Sequence, residues 1–319
     1  MAVLLTGLGY IGAALVQRLA RDPGEPVIAL DNFSSTPAAA IAQALPAAGV
    51  TLIEGDVADE RAVARLFDAA GEAPRVLIHL AAQPSAAMAV REPQTTERAN
   101  LTGARVVLEA AAERQVPVVF GSSFRVYGDD LAGQTVDEQT PYGRVGDLSH
   151  LSKLYVEQLA RMLRVHFASV RLGVTYGLSP IMKTVPAFMT VPNLFCQRAA
   201  CGEVLHVLED RPMAFIHVED AATALLLGAE RLARVPCAPG AEGFEVLNAA
   251  PEVASIGQVA RTVQRLAEAR GRWVRMQGLS STAEGGFTVR SRLDDDGFRA
   301  RHTLASGLGA VLDLFLQTA

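Results

Sequence analysis

Short apolar runs punctuate the first half of the chain, and each is followed by a longer amphipathic stretch. "AVLL" (residues 2–5) leads into a helical pattern over 11–21, "PVIALD" (26–31) into one over 37–48, and "VTLIEGD" (50–56) into one over 60–71. "RVLIHLAA" (75–82) precedes a pattern over about 97–114, "VPVVFGSS" (116–123) precedes one over 149–166, and "FASVRLG" (167–173) is a sixth run. Apolar runs of this length, bounded by glycine and polar residues, read as strands. They are continuous, not alternating, as expected where helices cover both faces of a parallel sheet. The alternation predicts an α/β protein with a doubly wound parallel sheet. Beyond residue 174 the rhythm breaks. Pro180, Pro186 and Pro192 interrupt the pattern, and helical periodicity returns over 219–234, 255–270 and 304–317. The chain therefore divides into a sheet domain, residues 1–173, and a smaller mixed C-terminal lobe, residues 174–319, that faces a substrate. Some segments of that lobe are expected to return to the first domain.

The junction of the first strand and first helix carries "TGLGYIG". Gly7 permits a tight turn, Gly9 lets the backbone approach a pyrophosphate, and Gly12 allows the helix to pack closely. Tyr10 and Ile11 open the helix, whose N-terminal N–H groups attract phosphate. An acid, Asp31, ends the second run 19 positions after Gly12 and is followed by Asn32. A carboxylate there accepts the adenosine ribose hydroxyls and repels a 2′-phosphate, which favours NAD over NADP. Strand, glycine loop, helix and late acid together point to a dinucleotide-binding domain. Asp56, followed by Val57, sits after the third strand, where its carboxylate can meet an adenine amino group or cap the helix that follows. Leu80, Ala81 and Ala82 after the fourth strand present small groups against which a cofactor can lie.

Composition narrows the partners. The chain has 319 residues and a net charge of −5, which argues against a nucleic-acid footprint. No apolar run approaches the roughly 18 residues of a membrane span. The N-terminus runs straight into the glycine motif and has no charged region with a cleavage site, so a cytoplasmic location is expected. The three cysteines, Cys196, Cys201 and Cys237, lack CxxC spacing and read as reduced thiols, and no metal site is expected. Lys153 and Lys183 are the only lysines among many arginines. A lysine at a meaningful position is therefore hard to dismiss as surface filler.

These segments, taken in order, resemble the extended short-chain dehydrogenase/reductases, in particular the NAD-dependent sugar-nucleotide epimerase/dehydratase group. The resemblance rests on "TGLGYIG", "DNFSS", "GDVAD", "HLAAQ", "ANLTG" with Asn100, "GSSFRVYG", "SKLYVEQL", "RLGVTYG", "FIHVEDAA", "LNAAPEVASI" and "HTLASGL". It implies a Ser/Thr–Tyr–Lys site in which the tyrosine moves a sugar-hydroxyl proton while hydride passes to the nicotinamide. It also assigns Asn100 to the cofactor side. Ser123 and Lys153 match two members of the trio, but the tyrosine position, four residues before Lys153, holds Ser149. A serine hydroxyl is far less acidic than a phenol and reaches several ångströms less. Tyr142, in "TPYG", could swing in as a relocated acid/base. His150 is a second candidate for that role, although it points roughly 100° from Ser149 around a helix, and Tyr155, about 160° from Lys153, fits worse.

The substrate side departs as well. Phe124 and Arg125 follow Ser123 where 4,6-dehydratases carry an acid pair, which disfavours elimination. Val174 stands in the place of an asparagine, and Met213 in that of an arginine that Arg211 could replace. No arginine matches a second diphosphate clamp over 280–288. The resemblance implies a homodimer through a helical contact, for which Leu151, Leu154, Val156 and Leu159 are available, although the same pattern suits packing on the sheet. Three functions stay open. One is an NAD-dependent sugar-modifying oxidoreductase, a 4-epimerase or ketoreductase acting on a nucleotide sugar. The others are an NAD-binding protein without redox activity and a reductase of a non-nucleotide substrate.

Overall fold

In a computed structural model, residues 2–21, 25–45, 50–71, 74–234, 243–278 and 286–318 are described. Cys237, residues 280–285 of the stretch where no arginine matches a second diphosphate clamp, and residues 46–48 of the second helical pattern lie outside them. Seven parallel strands form the central sheet: β1 (Val3–Thr6), β2 (Val27–Asp31), β3 (Val50–Glu54), β4 (Val76–His79), β5 (Val118–Ser123), β6 (Phe167–Leu172) and β7 (Phe244–Ala249). Their spatial order is β3-β2-β1-β4-β5-β6-β7. The order reverses between β1 and β4, whose C-terminal ends therefore open the crevice where doubly wound sheets bind ligands. The register sets Thr6 opposite His79 across that crevice, and the two side chains are hydrogen-bonded at 2.6 Å.

Strand residues alternate between the faces, so neighbours feed different apolar layers. Val3 and Leu5 join Leu15, Val16, Ala221 and Leu225 from helices Tyr10–Leu19 and Val218–Arg234. Leu4 joins Leu66, Val107, Val156 and Ala160 from helices Glu60–Asp68, Gly103–Glu113 and Leu148–Met162 on the other face. The expected strands appear, and β7 is an additional one that returns from beyond residue 174 to pair with β6 over six residues.

The C-terminal lobe has its own apolar cluster, built on helices Val191–Ala200, Ile256–Glu268 and Leu304–Thr318. The prolines make the first of these look irregular in the sequence. Pro192, however, falls in the first turn of the helix, where a missing N–H carries no penalty. A small sheet, with Pro212–His217 between Val174–Tyr176 and Glu252–Ser255, leads from β6 into this lobe. The pattern over about 97–114 is not one α-helix: it opens with a π-helical turn, Arg98–Thr102, that leads into helix Gly103–Glu113, and a short helix, Pro93–Glu97, precedes it. No helix of the described residues is long and apolar enough to cross a membrane.

Candidate active site

A cavity of about 650 Å³ runs from the glycine loop to the C-terminal lobe. Its near end is lined by Gly7, Gly9, Tyr10, Ile11, Gly12, Asp31, Asn32, Asp56, Val57, Leu80, Ala81 and Ala82. Gly7 has φ +87°, and a Cβ there would lie 2.6 Å from the Ala81 nitrogen. A Cβ on Gly9, by contrast, would meet nothing within 4 Å. The helix N-cap at Gly9 thus offers bare backbone to the cavity, the shape a pyrophosphate needs. Asp31 accepts N–H groups from Leu8 at 2.6 Å and Phe33 at 2.7 Å, one on each oxygen. A carboxylate has about four acceptor positions, so two remain for ribose hydroxyls. These groups fit a dinucleotide. Tyr10 gives its hydroxyl to the Gly177 carbonyl at 2.6 Å, which ties the loop to the far lobe.

Asp56 is not the cap of the next helix. Asp59 fills that role, accepting from the Arg61 N–H, while Asp56 pairs with Arg98 at 2.8 Å and accepts from the Ala58 N–H. Asn100, expected to touch the cofactor, is not among the cavity residues. It is buried in the π-helical turn, and both ends of its amide are taken by the backbone of Gln83, at 2.7 and 3.0 Å. The same nitrogen reaches the Ser152 hydroxyl at 3.1 Å. Asn100 therefore acts as a clamp between the Gln83 loop and the helix that carries Lys153.

Helix Leu148–Met162 brings Ser149, His150 and Lys153 to the cavity, and the end of β5 brings Ser123. The Lys153 ammonium donates to the Gly121 carbonyl at 2.8 Å and lies 4.6 Å from the centre of the Phe120 ring. Burial pushes its pKa down to about 8, against the opposing pull of Glu157. Burial, with the Lys153 charge, lowers His79 to about 3, so that ring stays neutral at working pH.

Tyr142 is not brought to the cavity. Its hydroxyl donates to Glu157 at 2.8 Å and accepts from Gln158 at 3.0 Å. The cause is the buried pair formed by Glu157 and Arg171, 2.6 Å apart, which holds Tyr142 one helical turn beyond Lys153, outside the cavity. Expected as a relocated acid/base, Tyr142 is instead a structural donor.

The far end of the cavity is lined by Phe124, Arg125, Val174, Arg211 and Met213, the substrate-side positions singled out in the sequence. Arg211 and Arg125 share Asp129, and Arg125 also approaches Asp147 at 3.7 Å. Two residues to which the sequence gives no firm place in the site also face the cavity, His150 and Lys183. Lys183, half-buried, has its pKa lowered to about 8 by burial. The rarity of lysine was the available signal for it. For His150 the signal was its spacing of three from Lys153, which makes the two neighbours on a helix surface.

Away from the cavity, His217, Asp220 and His302 could hold a metal ion. Asp220 already accepts from the N–H groups of Arg301 and His302, and the two rings stack at 3.8 Å, which fits a latch between helix Val218–Arg234 and the C-terminal segment. Of the positions considered for dimer contact, Val156 is buried in the core, and Leu151 is half exposed. Cys196 is buried and Cys201 exposed, and both are free thiols.

Sheet order, glycine loop and switch-point cavity together define a dinucleotide-binding protein of the Rossmann class. The chain belongs to the NAD dependent epimerase/dehydratase family, whose profile matches residues 3–238. It is 34% identical over 165 residues to the UDP-glucose 4-epimerase of Erwinia amylovora, which covers 50% of this chain and 48% of the relative. It is 30% identical over 239 residues to the dTDP-glucose 4,6-dehydratase of Streptomyces antibioticus, over 69% of this chain and 66% of that one. The chain thus spans about half the length of the first relative and about two thirds of the second. A crystal structure of UDP-glucose-4-epimerase from Stenotrophomonas maltophila, with bound NAD and formylated UDP-arabinopyranose, superimposes with a TM-score of 0.83. It is 22% identical, and the match covers 100% of this chain and 98% of that one.

Proposed function

We propose that the chain is an NAD-dependent nucleotide-sugar oxidoreductase of the 4-epimerase type. The observation that carries this reading is the continuity of one cavity from Gly7, Gly9 and Asp31, through Ser123 and Lys153, to Arg211 and Met213. A dinucleotide at the glycine loop would extend its nicotinamide toward Ser123 and Lys153, with a sugar approaching from the far lobe. NAD, when bound, supplies the hydride acceptor and donor. Lys153 would hold the nicotinamide ribose with its ammonium, and Ser123 would orient the reacting sugar oxygen. Arg211 and Lys183 are the cations we assign to the diphosphate. Phe124 and Arg125 line the site where an elimination would need an acid pair, so epimerisation or keto reduction is favoured over dehydration. We include in this reading a homodimer through the exposed Leu151 face, checked by light scattering after gel filtration. A cytoplasmic location is part of it too, checked by fractionation.

The test is to load the purified chain with NAD and supply UDP- and dTDP-sugars deuterated at C4. Transfer of deuterium to the cofactor, and sugar products separated by anion exchange, are the expected outcomes. The loss of the tyrosine at position 149 favours a second reading, an NAD-binding protein without redox activity. Tight NAD binding with no deuterium transfer from any sugar would establish that second reading in place of the first.

A further inference from the structure

We propose that His150, held by Asp147, is the group that takes up and returns the proton of the reacting sugar hydroxyl. The inference rests on the oxidoreductase reading above and assigns its missing acid/base.

Position comes first. His150 precedes Lys153 by three residues and so lies roughly 60° from it around the helix. Ser149 precedes it by four and lies about 40° away on the other side. Both flank the lysine, and both line the cavity with Ser123. Ser149 is too short to do the work of a phenol. Tyr142 is held by Glu157 and is absent from the cavity wall.

The imidazole is also oriented. Asp147 is the N-cap of the helix and accepts the His150 backbone N–H at 2.9 Å. Its two oxygens lie 2.8 and 2.7 Å from Nδ1 of the same residue. A carboxylate only accepts, so the neutral ring carries its proton on Nδ1 and its lone pair on Nε2. Nε2 is then the nitrogen left for a ligand. A carboxylate behind an imidazole fixes its tautomer and stabilises the imidazolium once it has taken a proton. Burial opposes ionisation of Asp147, but hydrogen bonds and charge from His150, with Arg125 behind, bring its carboxyl down to about 2. Asp147 therefore stays charged throughout the working range. It also offsets the positive end of the helix dipole, which by itself disfavours an imidazolium there.

The sugar O–H bond breaks and its proton passes to Nε2. The electron pair of the C–H bond on the same carbon leaves as hydride to NAD, and a C=O double bond forms. Return of hydride to the carbonyl, with the imidazolium giving back its proton, completes the cycle. Asp147 touches no reacting atom and is a positioning residue.

The test combines activity with a readout that needs no cofactor. In 15N-labelled protein, with six histidines separated by comparison with His150→Gln, His150 is expected as the Nδ1–H tautomer. Asp147→Asn should mix the tautomers. Asparagine caps helices as well as aspartate, so a merely structural role would leave that spectrum unmoved. His150→Gln should keep its NAD and its KM for the sugar but lose 100-fold or more of hydride transfer, the lower range of general acid–base contributions. Imidazole added to His150→Ala should restore part of the rate, which also serves if the glutamine variant folds poorly. Turnover of His150→Gln within threefold of the parent, or a parent His150 protonated on Nε2 instead, would overturn the proposal and leave the oxidoreductase reading intact. Absence of hydride transfer in the parent would overturn both.

Discussion

Arg171→Met isolates the interaction that seats the active-site helix. Glu157, fully buried on that helix, accepts the Ser122 and Ser169 hydroxyls at 2.7 and 2.6 Å, Arg171 at 3.1 and 2.6 Å, and Tyr142 at 2.8 Å. Ser122 belongs to β5 and Ser169 and Arg171 to β6, so one carboxylate joins the helix to two strands. Burial by itself would raise the Glu157 pKa, yet Arg171 and the two serines hold it below its usual range. Methionine fills much of the arginine volume but leaves that carboxylate uncompensated. Breaking a buried pair this way costs about 3–5 kcal/mol. Arg171 also stacks over Tyr127 and Tyr142, at 4.7 and 4.9 Å. Against this, its Nη1 is buried without a partner, which places the expected loss near 3–4 kcal/mol. At about 2.1 cal/mol/K per residue, a chain of 319 residues unfolds with an entropy of about 0.7 kcal/mol/K. The melting temperature should therefore fall by about 4–6 °C in calorimetry at neutral pH. Because the folded carboxyl titrates below its ordinary 4.5, its contribution is complete above that value and is lost as pH falls below it. A fall of less than about 1 °C in Arg171→Met would show that water or another donor reaches Glu157 and refute the reasoning.

Gly12→Ala would set a Cβ 2.1 Å from the Gly7 carbonyl oxygen, so the phosphate loop must shift. NAD affinity measured by calorimetry should drop by about tenfold or more, in line with the 1–3 kcal/mol of an overpacked site. Lys153 carries its charge below about pH 8. NAD should bind most tightly below that pH and weaken as the ammonium loses its proton above it, and Lys153→Met should bind less tightly with no such slope. Lys183→Met should raise KM for a nucleotide sugar by about 10- to 100-fold, the worth of a charged hydrogen bond, with kcat little changed. An unaltered KM in steady-state assays would remove Lys183 from the substrate site.

The sheet was legible because buried parallel strands are written as unbroken apolar runs, and the glycine loop because phosphate binding demands a fixed spacing. What escaped depended on contacts distant in sequence. Nothing near Tyr142 announces that Glu157 lies buried beside it, and Asn100 looks the same whether its amide meets a ligand or the Gln83 backbone. Strand β7 and the helix before it, Val218–Arg234, rejoin the sheet only after the chain has passed through the other lobe, so the place of β7 beside β6 is a matter of topology. His150 is a different case. Its angle from Ser149, the tyrosine position, points it away from the site, whereas the informative neighbour is Lys153, one turn away on the same face.

The return of β7 bears on how such a protein can be taken apart. Every residue of β6 is buried, and β7 covers its outer edge along six residues. Cutting the chain at residue 173 would leave that edge bare, with its N–H and C=O groups open to pairing with another molecule. A nucleotide-binding half prepared alone should therefore self-associate. Grafting the C-terminal lobe of a relative would have to carry the matching edge strand with it, because specificity and sheet integrity are encoded in the same stretch of chain.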